Sequence, residues 1–210
     1  MPQRGRRPTR VTGDERQESI LVTMEHLLED RSFDDISIDD LASGAGISRP
    51  TFYFYFSSKD DVLLALLDRT IREVEHRVAE LPRDFESDPE GSWRRSIAVF
   101  VDVFSAHSDV SAATTGARLR NPSVNELWSR AMSSWADYST EVIVAERARG
   151  AAPAGIDAKD LSVALNLMNE RVLTAVFTGD SPAIDRSRAV DTLSTIWLRS
   201  IYGTGSPLAG

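Results

Sequence analysis

Residues 37–59 read Ser37-Ile38-Asp39-Asp40-Leu41-Ala42-Ser43-Gly44-Ala45-Gly46-Ile47-Ser48-Arg49-Pro50-Thr51-Phe52-Tyr53-Phe54-Tyr55-Phe56-Ser57-Ser58-Lys59. Two helix starts are written into them. At Ser37 a hydroxyl that can cap a backbone N–H is followed three residues on by Asp40, an acid that can reach back. Ser48 is an N-cap candidate just ahead of Pro50, whose missing N–H costs nothing in a first turn. Gly44-Ala45-Gly46 between them is a turn signal. Two short helices, predicted at 38–44 and 48–54 and joined by a glycine-containing turn, make a helix-turn-helix, in which the second helix can enter a DNA major groove. Hairpins of this size also serve proteins that never touch DNA, so the pattern needs support from the rest of the chain.

Upstream, Thr12-Gly13-Asp14-Glu15 repeats the capping pattern ahead of a helix predicted at 13–30, which turns Ile20, Met24, Leu27 and Leu28 inward. Leu41, Ala42, Ala45, Ile47 and Phe52 can close a small core with it. The same spacing leaves Ser48, Arg49, Thr51 and Tyr53 facing outward, toward a groove. Arginine can bond guanine with two N–H groups, and threonine or tyrosine can meet a thymine methyl or a phosphate. Phe54 and Phe56 are expected to pack under the next helix. Lys59 begins that helix, whose free N-terminal N–H groups favour phosphate.

The charge balance first argues the other way. The chain of 210 residues carries 24 basic and 32 acidic side chains, a net charge of -8, whereas phosphate contacts dominate affinity for nucleic acid. The average conceals segregation. Residues 1–13 hold Arg4, Arg6, Arg7 and Arg10 with no acid, and residues 41–59 hold Arg49 and Lys59 with no acid; residues 14–40 hold ten acids against Arg16 and Arg31. The acids are expected on the first helix and the approach to the second, away from the reading helix. The N-terminal arginines are read either as a DNA-contacting arm or as a solvated tail.

Beyond residue 58 the chain again reads as helix, with no useful run of strand alternation. Helices are predicted at about 59–81, 91–107, 109–117, 122–149, 157–178 and 185–202, which makes nine in an all-α fold. Cysteine is absent, which excludes disulfides, thiolate metal sites and cysteine nucleophiles and suits a reducing compartment. No signal-peptide core and no run of membrane-spanning length is present.

Eight of the sixteen aromatic residues fall at helical spacing in the C-terminal part, including all four tryptophans. Trp93, Ile97, Phe100 and Phe104 form one stripe, and Trp128, Met132, Trp135 and Tyr138 another. A third, Asn166, Asn169, Glu170, Leu173 and Phe177, interrupts its apolar residues with amides and an acid, which buried must find partners or cost about 1–3 kcal/mol each. Such a set describes either core packing or a small-molecule pocket with a few orienting polar groups. The helix at 157–178 is also apolar on a second side, through Leu161, Leu165, Met168, Val172 and Val176. Together with Val190, Leu193, Ile196 and Ile201 of the last helix it could build a four-helix interface between two chains.

The run Gly46-Ile47-Ser48-x-x-Thr51-x-Tyr53-x-Tyr55-Phe56-x-x-Lys59 resembles the recognition segment of the TetR family of bacterial transcriptional repressors. The likeness extends through Leu28-Glu29-Asp30-Arg31, Ala164 to Arg171, and Ile201-Tyr202-Gly203, so that nearly the whole chain is covered. It implies a nine-helix fold with a helix-turn-helix domain at 1–58, including the basic arm, and a ligand-binding and dimerisation domain at 59–210. It further implies a homodimer formed through the last two helices, a palindromic double-stranded operator as partner, and a hydrophobic or amide-bearing effector in a tunnel. The lining implied is Trp93, Phe100, Phe104, Trp128, Met132, Trp135, Tyr138, Asn166, Asn169, Glu170, Leu173 and Trp197, with Asn169 donating to a ligand carbonyl. Thr174 departs from the pattern, where a phenylalanine is expected, and should widen or polarise one end.

Catalytic signatures are missing. His26, His76 and His107 fall on separate helices, and there is no nucleophile elbow, no phosphate-binding glycine loop with lysine and no dinucleotide fingerprint. Neither cofactor nor metal is expected, nor any membrane association, and the location expected is the cytoplasm, at the nucleoid. The other readings weighed are a constitutive DNA-binding protein whose aromatic stripes are only core, and an all-helical enzyme with an apolar cavity.

Overall fold

The computed structural model describes residues 13–203. Thr12, the expected first cap, and Arg4, Arg6, Arg7 and Arg10 lie outside them. Among the described residues the regular structure is helical throughout: α1 Gly13–Leu28, α2 Ile38–Gly44, α3 Arg49–Tyr55, α4 Lys59–Ala79, α5 Pro89–Ala106, α6 Ser108–Arg118, α7 Pro122–Ala148, α8 Ala158–Thr178 and α9 Ala189–Tyr202, with 3-10 turns at Phe33–Asp35 and Arg186–Arg188. The chain divides into two compact units between Leu66 and Leu67, inside α4. No helix among the described residues is long and apolar enough to cross a membrane.

In the first unit the capping box at Ser37 forms as the sequence dictates. The Asp40 backbone N–H donates to Ser37 Oγ at 3.1 Å, and the Ser37 backbone N–H donates to Asp40 Oδ2 at 2.8 Å. Arg31 donates to the same carboxylate at 3.2 Å, and this bond, with those from Ser37, holds the Asp40 carboxyl far below its ordinary pKa of 3.8. The turn after α2 needs a residue at φ +66°, which Gly46 supplies without strain. Gly44 has a different task. A Cβ there would come within 2.4 Å of Thr23 Cγ2, so its absence lets α2 lie close against α1.

Ile20, Met24, Leu41 and Phe52 lose all solvent contact, with Leu21, Leu28, Phe33, Ile36 and Phe56 around them. Burial of a side chain such as Phe52 stabilises by about 1.5–3 kcal/mol. Leu27, expected inward, is only half-buried, and Leu21 takes its place.

The second unit packs α7 on α8, α5 on α9 and α6 on α8. Two predicted starts move for local reasons. α5 begins at Pro89 rather than 91 because Asp88 caps it, accepting from the Gly91 N–H at 2.8 Å. α9 begins at Ala189 because Asp185 instead caps the preceding 3-10 turn. A buried acid holds the end of α7: Glu146, 3% exposed, takes both arms of the Arg149 guanidinium at 2.7 Å. Tyr202 donates to Glu146 at 2.8 Å and accepts from the Trp93 indole N–H at 3.2 Å. Full pairing is what makes a buried charge tolerable. Burial, foremost, pushes the Tyr202 hydroxyl pKa well above its ordinary 10.

The second apolar side of α8 is largely used inside this unit, where it shares a core with α9. Leu161, Leu165, Leu193 and Ile201 are buried in its core, and Met168, Val172 and Val190 pack against that core. The large apolar residues of α8 and α9 that stay exposed are Val163, Leu167 and Ile196.

Candidate functional site

The reading helix α3 starts from Ser48, whose Oγ accepts from the Thr51 N–H at 3.3 Å and shares a hydrogen bond with Thr51 Oγ1 at 2.8 Å. Arg49 and Tyr53 stand exposed beyond it, and Phe52 is buried. Arg49 does not extend freely into solvent. It donates to Asp39 Oδ2 at 2.9 Å and to the Tyr53 hydroxyl at 3.3 Å, with its guanidinium carbon 5.9 Å from the Tyr53 ring centre. The bond to Tyr53 and the nearby Asp39 charge raise its pKa further. The acids of residues 14–40 are therefore not all remote from the reading helix, since Asp39 lies directly on its arginine.

Two expectations change here. Phe54 does not pack under α4: it is 82% exposed, whereas Phe56 is buried. Position 54 lies about 200° round the helix from Phe52, while Phe56 escapes that geometry because α3 ends at Tyr55 and the extended backbone at Phe56, φ -137°, turns it inward. Lys59 does not offer its ammonium to solvent. Nζ donates to the carbonyls of Phe33 at 2.8 Å, Asp34 at 3.0 Å and Ile36 at 2.8 Å, and lies 4.7 Å from the Phe33 ring centre. Three ammonium donors meet three carbonyls, so Lys59 clasps the turn before α2, while the α4 N-terminus is capped by Ser58, which accepts from the Asp61 N–H at 3.1 Å.

The second unit holds a partly open cavity of about 250 Å³. All twelve residues expected to line it do so: Trp93, Phe100 and Phe104 from α5; Trp128, Met132, Trp135 and Tyr138 from α7; Asn166, Asn169, Glu170 and Leu173 from α8; and Trp197 from α9. Thr174 and Phe177 line it too. The aromatic wall is locked edge to face, Phe100 on Trp135 at 4.9 Å, Trp128 on Trp135 at 5.8 Å and Phe104 on Trp128 at 5.8 Å between ring centres.

The polar groups in this wall differ in what they have left to give. The Trp197 indole N–H donates to Asn169 Oδ1 at 2.9 Å. An indole can only donate, so the Asn169 oxygen must face it and the amide NH2 is left as a donor. Asn166 has no such freedom: its NH2 is spent on the Ser162 carbonyl at 2.9 Å and Ser139 Oγ at 3.3 Å. Glu170 accepts from Arg118 at 2.7 Å, and that guanidinium lies 5.1 Å from the Trp128 ring centre. Arg118 escaped the sequence reading because the helix was ended at 117, one residue short. The steps from Ser111 to Thr114, Thr115 and Arg118 carry the helical signal that would have found it. Burial, foremost, raises the Tyr138 pKa, and Arg83 lies over its ring at 5.1 Å.

Such a wall suits binding of an apolar molecule with a few hydrogen-bonding groups. Among the described residues no group of three or more His, Asp or Glu could hold a metal ion.

Comparison with known proteins agrees with both halves of this picture. Residues 20–66 match the family model for bacterial regulatory proteins of the tetR family, and residues 93–203 that for the C-terminal domain of the transcriptional regulator EthR. The HTH-type transcriptional regulator EthR of Mycobacterium tuberculosis is 52% identical over 203 residues, 95% of this chain and 93% of that protein. The regulator of that name from Mycolicibacterium smegmatis is 46% identical over 201 residues, 96% and 93% of the two. Among solved structures, a putative transcriptional regulator from Saccharomonospora viridis in complex with choline superposes with a TM-score of 0.73 at 23% identity, covering 89% of this chain and 96% of that one, a likeness of fold. The chain thus belongs to the TetR family of helix-turn-helix transcriptional regulators, as an EthR-like member.

Proposed function

We propose that the protein is a ligand-responsive repressor that binds a palindromic operator as a homodimer and leaves it when a small apolar or amide-bearing molecule fills the α5–α9 cavity. The observation that carries the reading is the Asn169 amide, turned by Trp197 so that a donor remains inside an aromatic-walled cavity. A constitutive DNA-binding protein has no use for an orienting donor in such a space.

In this reading Ser48, Arg49, Thr51 and Tyr53 face the major groove, and Arg4, Arg6, Arg7 and Arg10 form the arm that adds phosphate contacts. The exposed apolar residues Val163, Leu167 and Ile196 mark the dimer face on α8 and α9. α4, about 30 Å long, crosses the division between the two units, and a rotation along it is the proposed link from ligand to reading heads. The ligand must bind the DNA-free form better, by a coupling typically of about 1–3 kcal/mol. Working on DNA, the protein is expected in the cytoplasm, at the nucleoid.

Selection of bound genomic fragments with the full-length protein tests the first half, with an enriched palindrome expected and its absence decisive against the reading. Titration of the complex with straight-chain amides tests the second. If compounds that demonstrably fill the cavity leave operator affinity unchanged, the release mechanism fails. Leu167→Glu should yield a monomer by sedimentation, with lost operator binding and an intact cavity.

A further inference from the structure

Two polar atoms in the cavity wall have no hydrogen-bond partner among the described residues: the hydroxyl of Thr114 on α6 and the indole N–H of Trp135 on α7. Their residues are 3% and 9% exposed. Nearby hydroxyls differ. Ser111 donates to the His107 carbonyl at 2.8 Å, Thr115 to the Ser111 carbonyl at 2.9 Å, and Thr178 to the Thr174 carbonyl at 2.9 Å, each within its own helix. Thr114 alone of these four has not turned back on its helix. It lies one turn before Arg118, and Thr174 one turn after Glu170, so the Arg118–Glu170 pair is flanked on both helices by a threonine that lines the cavity.

The chemistry this wall asks for is neutral. Arg118 and Glu170 answer each other's charge, and the free atoms are a hydroxyl and an N–H. Asn169 is a separate station, fixed from α9 through Trp197. We propose that the cavity has a second hydrogen-bonding station at Thr114, and that the effector it takes is a neutral amphiphile with two oxygen functions. A carbonyl meets the Asn169 amide, and a hydroxyl or ether oxygen further along meets Thr114. A purely hydrocarbon tail against this wall strands the Thr114 hydroxyl and the Trp135 N–H, and a buried polar group left unpaired is what lets a site reject the analogue that lacks its partner. The proposal rests on the cavity being the effector site.

The test is an oxygen scan on the full-length protein by calorimetric titration. The probes are a straight-chain primary carboxamide and a series in which one hydroxyl is moved a carbon at a time along the same chain. One region of the scan is expected to bind the wild type about three- to tenfold more tightly than the parent amide, the range of a single neutral hydrogen bond. Thr114→Val should bind the parent at least as well and lose that gain, while Thr114→Ser, which keeps the hydroxyl, retains it. An unchanged tryptophan-fluorescence melt verifies folding of both variants. A flat scan, or a gain that survives in Thr114→Val while the parent still binds in an Asn169-dependent way, overturns the second station and leaves the effector site standing. If the parent amide shows no dependence on Asn169, the effector-site reading falls and takes this inference with it.

Discussion

The carboxylate of Asp39, in the first turn of α2, lies 2.9 Å from the guanidinium of Arg49, in the first turn of α3. In the proposed reading of α3, Arg49 is thus already paired before DNA arrives, and a base or phosphate would have to compete with Asp39 for it. Both partners are largely exposed, so the pair contributes little to stability, and its effect falls on binding.

Asp39→Asn is therefore expected to tighten DNA binding roughly two- to fivefold, more at low salt, with nonspecific DNA gaining as much as operator. Arg49→Ala should weaken operator binding about tenfold or more without altering oligomeric state or ligand affinity. In the double variant the Asp39 effect should vanish. Fluorescence anisotropy with operator and scrambled duplexes measures all three, and equal operator affinity of Arg49→Ala would remove that residue from the reading surface.

Lys59→Met keeps the aliphatic stem and leaves three carbonyls short of a donor. The loss is expected to be about 1–3 kcal/mol of stability in the first unit. All four tryptophans lie at positions 93–197, so tryptophan fluorescence follows only the second unit. An earlier circular-dichroism transition with an unchanged fluorescence midpoint is the expected result, and coincident shifts would contradict the local clasp.

Acid should act on the first unit through Asp40. Its folded pKa is depressed by Arg31 and Ser37, so its contribution is fully present above the ordinary value of 3.8 and is lost as pH falls below it. Asp40→Asn should remove that stability at neutral pH and flatten the profile below about pH 4. Denaturant melts across pH decide the matter, since an unaltered acid slope in the variant would place the titration elsewhere.

Asn169→Ala should lower affinity for straight-chain amides about three- to tenfold while operator affinity stays unchanged. Asn166→Ala is expected to destabilise the second unit instead, because it removes the donor to Ser162 and Ser139. Calorimetric titration beside a thermal melt separates the two, and the opposite pattern would reverse the assignment of the amides.

The aromatic stripes were legible because helical spacing is a property of local sequence; that they line a cavity rather than fill a core was implied only by the family resemblance. Ser37, Ser48 and Gly46 were equally readable, since caps and left-handed turns are chosen by one or two residues. Relationships across long separations were not. Nothing in the spacing of Lys59 and Phe33 announces that the ammonium closes on the turn at 33–36, or that Asp39 finds Arg49 rather than solvent. Phe54 was misplaced for a related reason: five consecutive aromatic positions carry no periodicity, and only the end of α3 at Tyr55 decides which of them turns inward. The second apolar side of α8 was read correctly as a demand for a partner, but α5 and α9 of the same chain meet most of it.

The chain of bonds from Trp93 through Tyr202 to Glu146 bears on how the cavity can adapt. Moving Trp93 outward costs its buried indole N–H the Tyr202 acceptor, so this wall resists enlargement. Across the space, α6 carries Gly116, with no atom within 4 Å of where its Cβ would stand, and passes into a connection where Leu119 is 92% exposed. In the proposed effector site, substitutions at Gly116 and Leu119 should therefore retune the ligand size accepted, while Thr114 on α6 and Trp135 on α7 stay in place.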